Sequence, residues 1–359
     1  MTLILSESDI EATLNMEDCL EVIEQTFADF GNGEAVSRPR THTYTYLEPA
    51  TFYNFKSMDG CVPRYGVHAL RVSSEILQEQ RAFGHIREEK LGKAAGGRFV
   101  GLVFLFDLAT TELIAILQEA GLQRMRVGAT SGIAAKHVAR ADARRIGLFG
   151  TGWQAKPQLE ALARVRDIEY VKVFSVNAEN RRRFVAEMAE IFNFPVTAVD
   201  NPRDVVRDAD IVACATNSQE PVFDGSWLEP GQHVNSLQAG ELDELTHLRA
   251  DPIVVRAFEK SLHYLQKAAP EQPIQTVTTR RFDDSFKDKL VELGTIVAGI
   301  GQGRTTAEQI TLFGGSGTGP SSGLGIQFAA VGKLVYDLAR KQGLGHEIPT
   351  EWFNEIHHP

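Results

Sequence analysis

The sequence predicts an α/β protein. A Rossmann-type, doubly wound parallel sheet would stand beside an α+β unit built from the N-terminal segment and the C-terminal helix. Three observations predict this. From about residue 126 strands and helices alternate, as in βαβ units that build a parallel sheet. Strands such as Ile211–Ala215 (IVACA) are continuously apolar, as strands covered on both faces are. A glycine-rich turn, Gly150-Thr151-Gly152-Trp153-Gln154-Ala155, joins an apolar strand to a helix.

Residues 14–30 read as a helix. Met16, Cys19, Leu20, Ile23, Phe27 and Phe30 recur at helical spacing, Asn15 caps the start, and Gly31-Asn32-Gly33 stops it. From Arg38 to Phe106 short β-branched and aromatic runs (Thr41–Tyr46, Val67–Val72, Phe99–Phe106) suggest an antiparallel sheet. The polar stretch Glu75–Arg98, with Arg81, Arg87, Lys90 and Lys93, reads as a solvated excursion in preference to a mobile lid. Arg126–Arg140 is a helix of small residues. Strands follow at Ile146–Phe149, Tyr170–Phe174, Pro195–Val199, Asp210–Ala215, His233–Leu237 and Ile253–Val255, with helices over Gly152–Val165 and Glu179–Phe192. A last helix, Gly325–Gln342, completes the N-terminal unit. The expected domains are 1–126 with 320–359, and 127–319.

The 359 residues suit two domains at roughly 100–200 residues each. With 43% apolar and 23% charged residues the chain is of ordinary globular composition. Its formal charge of −10 argues against a nucleic-acid or anionic-membrane partner, which needs a basic face. There is no apolar run of membrane-spanning length and no basic leader, so a cytoplasmic protein is expected. Three scattered cysteines, without HExxH or CxxC, read as reduced thiols, and no metal is expected.

The turn is the G-x-G-x-x-A form of the dinucleotide fingerprint. Gly150 allows the tight turn, Gly152 lets a pyrophosphate approach the backbone, and Ala155 lets helix and strand pack closely. The helix N-terminus then offers N–H groups and a positive dipole end. Pro157 must sit near the first helical turn. The next strand ends at Ser175, with Asn177 just beyond, where an NAD-preferring domain usually carries a carboxylate. With Arg181 and its neighbours close by in sequence, this favours NADP over NAD.

Four segments together resemble the ornithine cyclodeaminase/μ-crystallin family: Met125–Lys136, the turn 150–155, Ala215–Val222 and Gly303–Phe313. The resemblance covers most of the chain from about Arg38. It implies a homodimer, a cleft site between two domains, and NAD(P)(H) with a small amino or imino acid substrate. Thr130, Thr151, Trp153, Gln154 and Thr216 join the expected cofactor set. It also implies that Arg126, with Arg40 and Arg71, holds the substrate carboxylate, a task suited to the guanidinium fork. Arg71 stands where the family carries a lysine. The family's catalytic aspartate falls near Gly240 or Glu241, leaving Glu241 or His68 to move the proton. The activity so implied is an NAD(P)-dependent oxidoreductase on C–N bonds, an imine reductase or amino-acid dehydrogenase. The alternatives are a cyclodeaminase-type ammonia lyase with retained NAD, and an NADPH-binding protein of little turnover.

Overall fold

The computed structural model describes residues 1–82, 85–258, 262–265, 275–278, 284–314 and 323–356. The strands of its first sheet are β1 (Thr2–Leu5), β2 (Val36–Ser37), β3 (Thr41–Glu48), β4 (Thr51–Val62), β5 (Val67–Ala82), β6 (His85–Leu91), β7 (Val100–Asp107) and β8 (Leu113–Gln118). Helices α1 (Glu7–Thr13) and α2 (Met16–Gly31) lie between β1 and β2, and α3 (Glu119–Val138) follows β8. The Asn15 side chain accepts from the Asp18 N–H at 2.9 Å and so caps α2.

The second sheet begins with β9 (Arg145–Phe149), α4 (Ala155–Val165), β10 (Tyr170–Phe174), α5 (Ala178–Ile191), β11 (Val196–Ala198), α6 (Pro202–Val206), β12 (Ile211–Cys214) and β13 (His233–Ser236). It continues through α7 (Glu244–Arg249) and β14 (Ala250–Val255). β15 (Leu262–Leu265) and β16 (Gln275–Thr278) come next, then β17 (Leu290–Glu292), α8 (Leu293–Val297), β18 (Ile310–Gly314), α9 (Gly325–Gln342) and β19 (His346–Ile348). The spatial order β11-β10-β9-β12-β13-β18-β14-β17 is parallel throughout. The order reverses between β9 and β12, the crevice where such sheets bind ligands.

Three features depart from the expected organisation. Residues 51–62 form a long strand, because Asn54, Lys56, Met58, Gly60 and Val62 alternate inward against β5. The polar 75–98 stretch carries strands that were not expected: β5 continues to Ala82, and β6 returns along it, with Ile76 opposite Leu91. Glu88, Glu89, Lys90, Lys93 and residues 95–98 are exposed. Finally, β15 leaves the region 127–319 and pairs with β3, with β16 beyond it, so this region supplies edge strands to the first sheet.

The first sheet has two unlike faces. Val67, Ala69, Val103, Leu105 and Ala115 are fully buried under α2, α3 and α9. Leu70, Val72, Leu102, Phe104, Ile114 and Ile116, on the alternate positions, are only half-buried. Among the described residues, no helix is long and apolar enough to cross a membrane, and no three His, Cys, Asp or Glu side chains are grouped to hold a metal.

Candidate functional site

The nucleotide turn is built as its residues demand. Gly150 has φ +101°, and a Cβ there would lie 2.3 Å from the Ala215 carbonyl oxygen, so only glycine fits. A Cβ at Gly152 would meet no protein atom within 4 Å, so its backbone faces open space. The N–H groups of Thr151, Gly152, Trp153 and Gln154 make no hydrogen bond among the described residues. They precede α4 as a set of free donors fitted to a pyrophosphate. Pro157 is the third residue of α4, where its missing N–H costs nothing. Trp153 is half exposed beside the turn, and Ala155 is fully buried.

The adenosine side differs in part from expectation. Ser175 directly follows β10 and carries no carboxylate. Arg181, however, is committed: it donates to the Ser175 carbonyl at 2.5 Å and pairs with Asp200 at 2.5 Å. It braces the strand end instead of facing a ligand. Arg182 and Arg183 are exposed, and Arg183 lines a cavity of about 230 Å³ with Thr151, Gly152, Trp153 and Lys156. The Asn177 side-chain oxygen accepts from the N–H groups of Glu179 and Asn180 and caps α5.

A cluster of buried cations, the candidate cleft, lies where α3 meets the inward face of the first sheet. On α3, Glu119, Gln123, Arg126 and Thr130 recur at i+4, i+3 and i+4, which places them on one face. Arg126 is almost fully buried. Its guanidinium donates to the Gln123 side chain, at 3.2 Å from Nε, and to Gln327 at 3.1 Å. It lies 5.0 Å from the Phe328 ring centre. A Cβ at position 323 would come within 2.3 Å of Nη1, so Gly323 makes room for this side chain. The Arg126 partners are neutral amides. Burial first, then the nearby Arg256 and Arg71, hold its pKa well below the usual guanidinium range. Thr130, expected at the cofactor, is fully buried and takes a hydrogen bond from Gln327. It positions Gln327 and through it Arg126.

β5 supplies Arg71, Ser73 and Glu75 on the same inward face. Arg71 pairs with Glu119 and shares the Phe328 ring with Arg126, at 5.7 Å. Its Nε, the Ser73 hydroxyl and the Asn54 side-chain oxygen are buried without hydrogen-bond partners among the described residues. On β4, Lys56 pairs with Glu75, which also receives Lys90 at 2.6 Å. Burial lowers the Lys56 pKa to about 8. Its two ammonium partners hold Glu75 ionised against burial, with a pKa of about 2. Arg40 adjoins this wall, its pKa brought down to about 10 by burial and Arg71. His42 and His263 stack at 4.3 Å nearby, and burial with the adjacent cations keeps both neutral.

Neither expected acid–base residue faces this cleft. His68 lies on the other side of β5 from Arg71, because the two are three residues apart on a strand of period two. It sits 3.4 Å from Asp59, which also pairs with Arg38. Glu241 is fully buried. Its carboxylate accepts from the N–H groups of Thr216, Leu237 and Gln238 at 2.6, 2.9 and 2.9 Å. The Thr216 and Ser236 hydroxyls add two more donors at 2.7 and 2.8 Å. With five donors its lone pairs are filled. Burial pushes its pKa up, against the pull of those donors, but no oxygen remains for a ligand. Glu241 clasps Thr216, at the carboxyl end of β12, to the β13 loop. Sequence reasoning missed Gln123, Gln327, Glu119, Lys56, Glu75 and Arg256. The inward alternation on β4 and β5 was the one available signal, and β4 was not recognised as a strand.

A family model described as the ornithine cyclodeaminase/mu-crystallin family matches residues 87–343. The chain is 29% identical to a Δ1-pyrroline-2-carboxylate reductase of Bacillus cereus, over 96% of this chain and 99% of that one. A solved Δ1-pyrroline-2-carboxylate reductase of Thermococcus litoralis, in complex with NADH and L-proline, superposes with a TM-score of 0.75 at 27% identity. That match covers 97% of this chain and 100% of the other. An archaeal alanine dehydrogenase, a dimer with bound NAD, has a TM-score of 0.75 at 26% identity, covering 97% and 99%.

Proposed function

The chain belongs to the ornithine cyclodeaminase/μ-crystallin family, and from that premise we propose that it is an NAD(P)H-dependent reductase of a small 2-imino acid. The observation that carries this reading is Arg126, a buried guanidinium without a carboxylate partner among the described residues. Its helix packs on the nucleotide helix, with Gly128 against Pro157. Thr151, Gly152, Trp153 and Gln154 hold the pyrophosphate through their N–H groups, and the Glu241 clasp sets the Thr216 loop beside them. A reduced nicotinamide supplies the hydride when bound.

Arg126 takes the substrate carboxylate as a bidentate pair and so fixes the imino carbon. Arg71, held by Glu119, bounds the other side. Lys56 is the proton source for the imine nitrogen, since it faces the cleft and titrates near working pH. Protonated Lys56 is needed for reduction. The kcat/KM of reduction is therefore expected to fall as pH rises through about 8, and Lys56→Met should remove this limb. A limb that survives in Lys56→Met excludes Lys56.

The half-buried apolar face of the first sheet supports a homodimer, as in the archaeal alanine dehydrogenase. Ser175, with exposed Arg182 and Arg183, supports NADP(H) over NAD(H). The deciding experiment follows oxidation of NADPH and NADH with Δ1-pyrroline-2-carboxylate and with 2-oxo acids plus ammonia. We expect turnover with at least one imino acid and a higher kcat/KM for NADPH. One NAD⁺ released per chain on denaturation, with no reductase turnover, would sink the reading in favour of a lyase.

A further inference from the structure

We infer that Lys90 is a positioning residue for the proton transfer: it shares the Glu75 carboxylate with Lys56 and so leaves Lys56 ready to deliver its proton. This rests on the imine-reductase reading above, with Lys56 as its proton source, and adds the residue that readies that source.

Lys90 stands on β6, the strand that the polar 75–98 stretch builds along β5. β7 pairs with β5 as far as Ser74, and β6 takes over from Ile76. Lys90 is directly opposite Leu77, a buried inward position, so it shares the face of Ser73 and Glu75. Glu75 is its diagonal neighbour, within reach of a long side chain. Its Nζ lies 2.6 Å from Glu75 Oε2, while Lys56 Nζ pairs with Oε1. The two ammonium groups differ in setting. The Lys90 side chain is 51% exposed and that of Lys56 12%.

One carboxylate between two ammonium groups leaves one positive charge in excess. Loss of one proton leaves a neutral pair, so the arrangement favours release. The proton leaves from Lys56, because burial penalises its charged form while water solvates Lys90. A buried lysine with a carboxylate to itself would be held charged, and would be a poor acid near neutral pH. Among the described side chains, the other titratable groups facing Lys56 are Arg40 and His42 on β3 and His263 on β15. Arg40 is a cation and acts in the same sense as Lys90. Both imidazoles are neutral. Arg71, further along β5, is held by Glu119. Glu88, two residues before Lys90 on β6, acts on Arg40 and Tyr44. Ser73, opposite Lys56, is uncharged.

The imine nitrogen takes its proton from Lys56 Nζ as the imino carbon takes the hydride. Glu75 then holds Lys90 alone, and Lys56 regains a proton from solvent before the next turnover.

The test follows kcat/KM for Δ1-pyrroline-2-carboxylate, and for 2-oxo acids with ammonia, against pH. It compares the unaltered protein with Lys90→Met, Lys90→Gln and Lys90→Arg, each shown to be folded by nucleotide titration. Removing the cation leaves Glu75 to Lys56 alone. The alkaline limb should therefore move from about pH 8 to about pH 9 in Lys90→Met and Lys90→Gln. Lys90→Arg keeps the charge and should keep the limb near pH 8. A limb that stays near pH 8 or moves down in the two neutral variants overturns the inference, even where their rates fall, and leaves the reductase reading standing. So does a limb that moves equally in Lys90→Arg. A limb that survives Lys56→Met, or no reduction of any of these imines, overturns the reading and the inference with it.

Discussion

Arg126→Met is expected to lower kcat/KM by about 10²–10³-fold while leaving nucleotide affinity within a few-fold. The loss corresponds to removing one partner of a desolvated charge pair, about 3–5 kcal/mol, and each 1.36 kcal/mol is about tenfold in rate. The same substitution should not lower the thermal stability of the ligand-free protein. Arg126 has amides and an aromatic face around it and no ion-pair partner among the described residues, and the charge of Glu119 offsets only part of its burial, so methionine replaces a poorly compensated buried cation. Function and stability should move in opposite directions, as at sites whose strain is relieved by ligand. Kinetics, nucleotide titration and thermal unfolding of one variant check all three. A variant that is less stable and equally active would make Arg126 a structural residue.

Glu241→Ala is expected to cost about 5 kcal/mol or more of stability and to weaken nucleotide binding at least about tenfold. Three N–H groups and two hydroxyls lose their acceptor together, and each buried donor left unmade costs about 1–3 kcal/mol. The Thr216 loop beside the nucleotide turn is then untied. Denaturant midpoints and nucleotide titration measure both effects. The conservative Glu241→Gln separates this positioning role from proton transfer. It should weaken binding yet leave the pH–rate profile unchanged, whereas an altered profile would return Glu241 to the chemistry.

Much of the nucleotide half was legible because its signals are local. Gly150, Gly152 and Ala155 lie within six residues, and the alternation of apolar strands with helices needs no knowledge of distant partners. Arg126 was singled out through a segment whose small residues and arginine lie side by side in sequence, and the structure places it buried with amide partners. The roles of His68 and Glu241 were not. His68 is excluded by the parity of β5, which a three-residue offset from Arg71 decides once the strand is known to be continuous. Glu241 resembled a free acid because its five donors, from Thr216 and from residues 236–238, meet it only in the folded chain. Arg181 looked like a phosphate ligand until its carbonyl and carboxylate partners were in place.

The sequence by itself determined the doubly wound sheet and the glycine turn that joins its first strand to a helix, because hydrophobic period, turn chemistry and helix ends act over a few residues. Only the tertiary structure decided which face each charge occupies and which charges cancel. Glu119 meets Arg71 across 48 positions, and Gln327 reaches Arg126 across 201. The chain crosses from the second sheet to the first immediately after β14. Electrostatic balance in a buried site is a sum over such long-range neighbours, so it belongs to the fold.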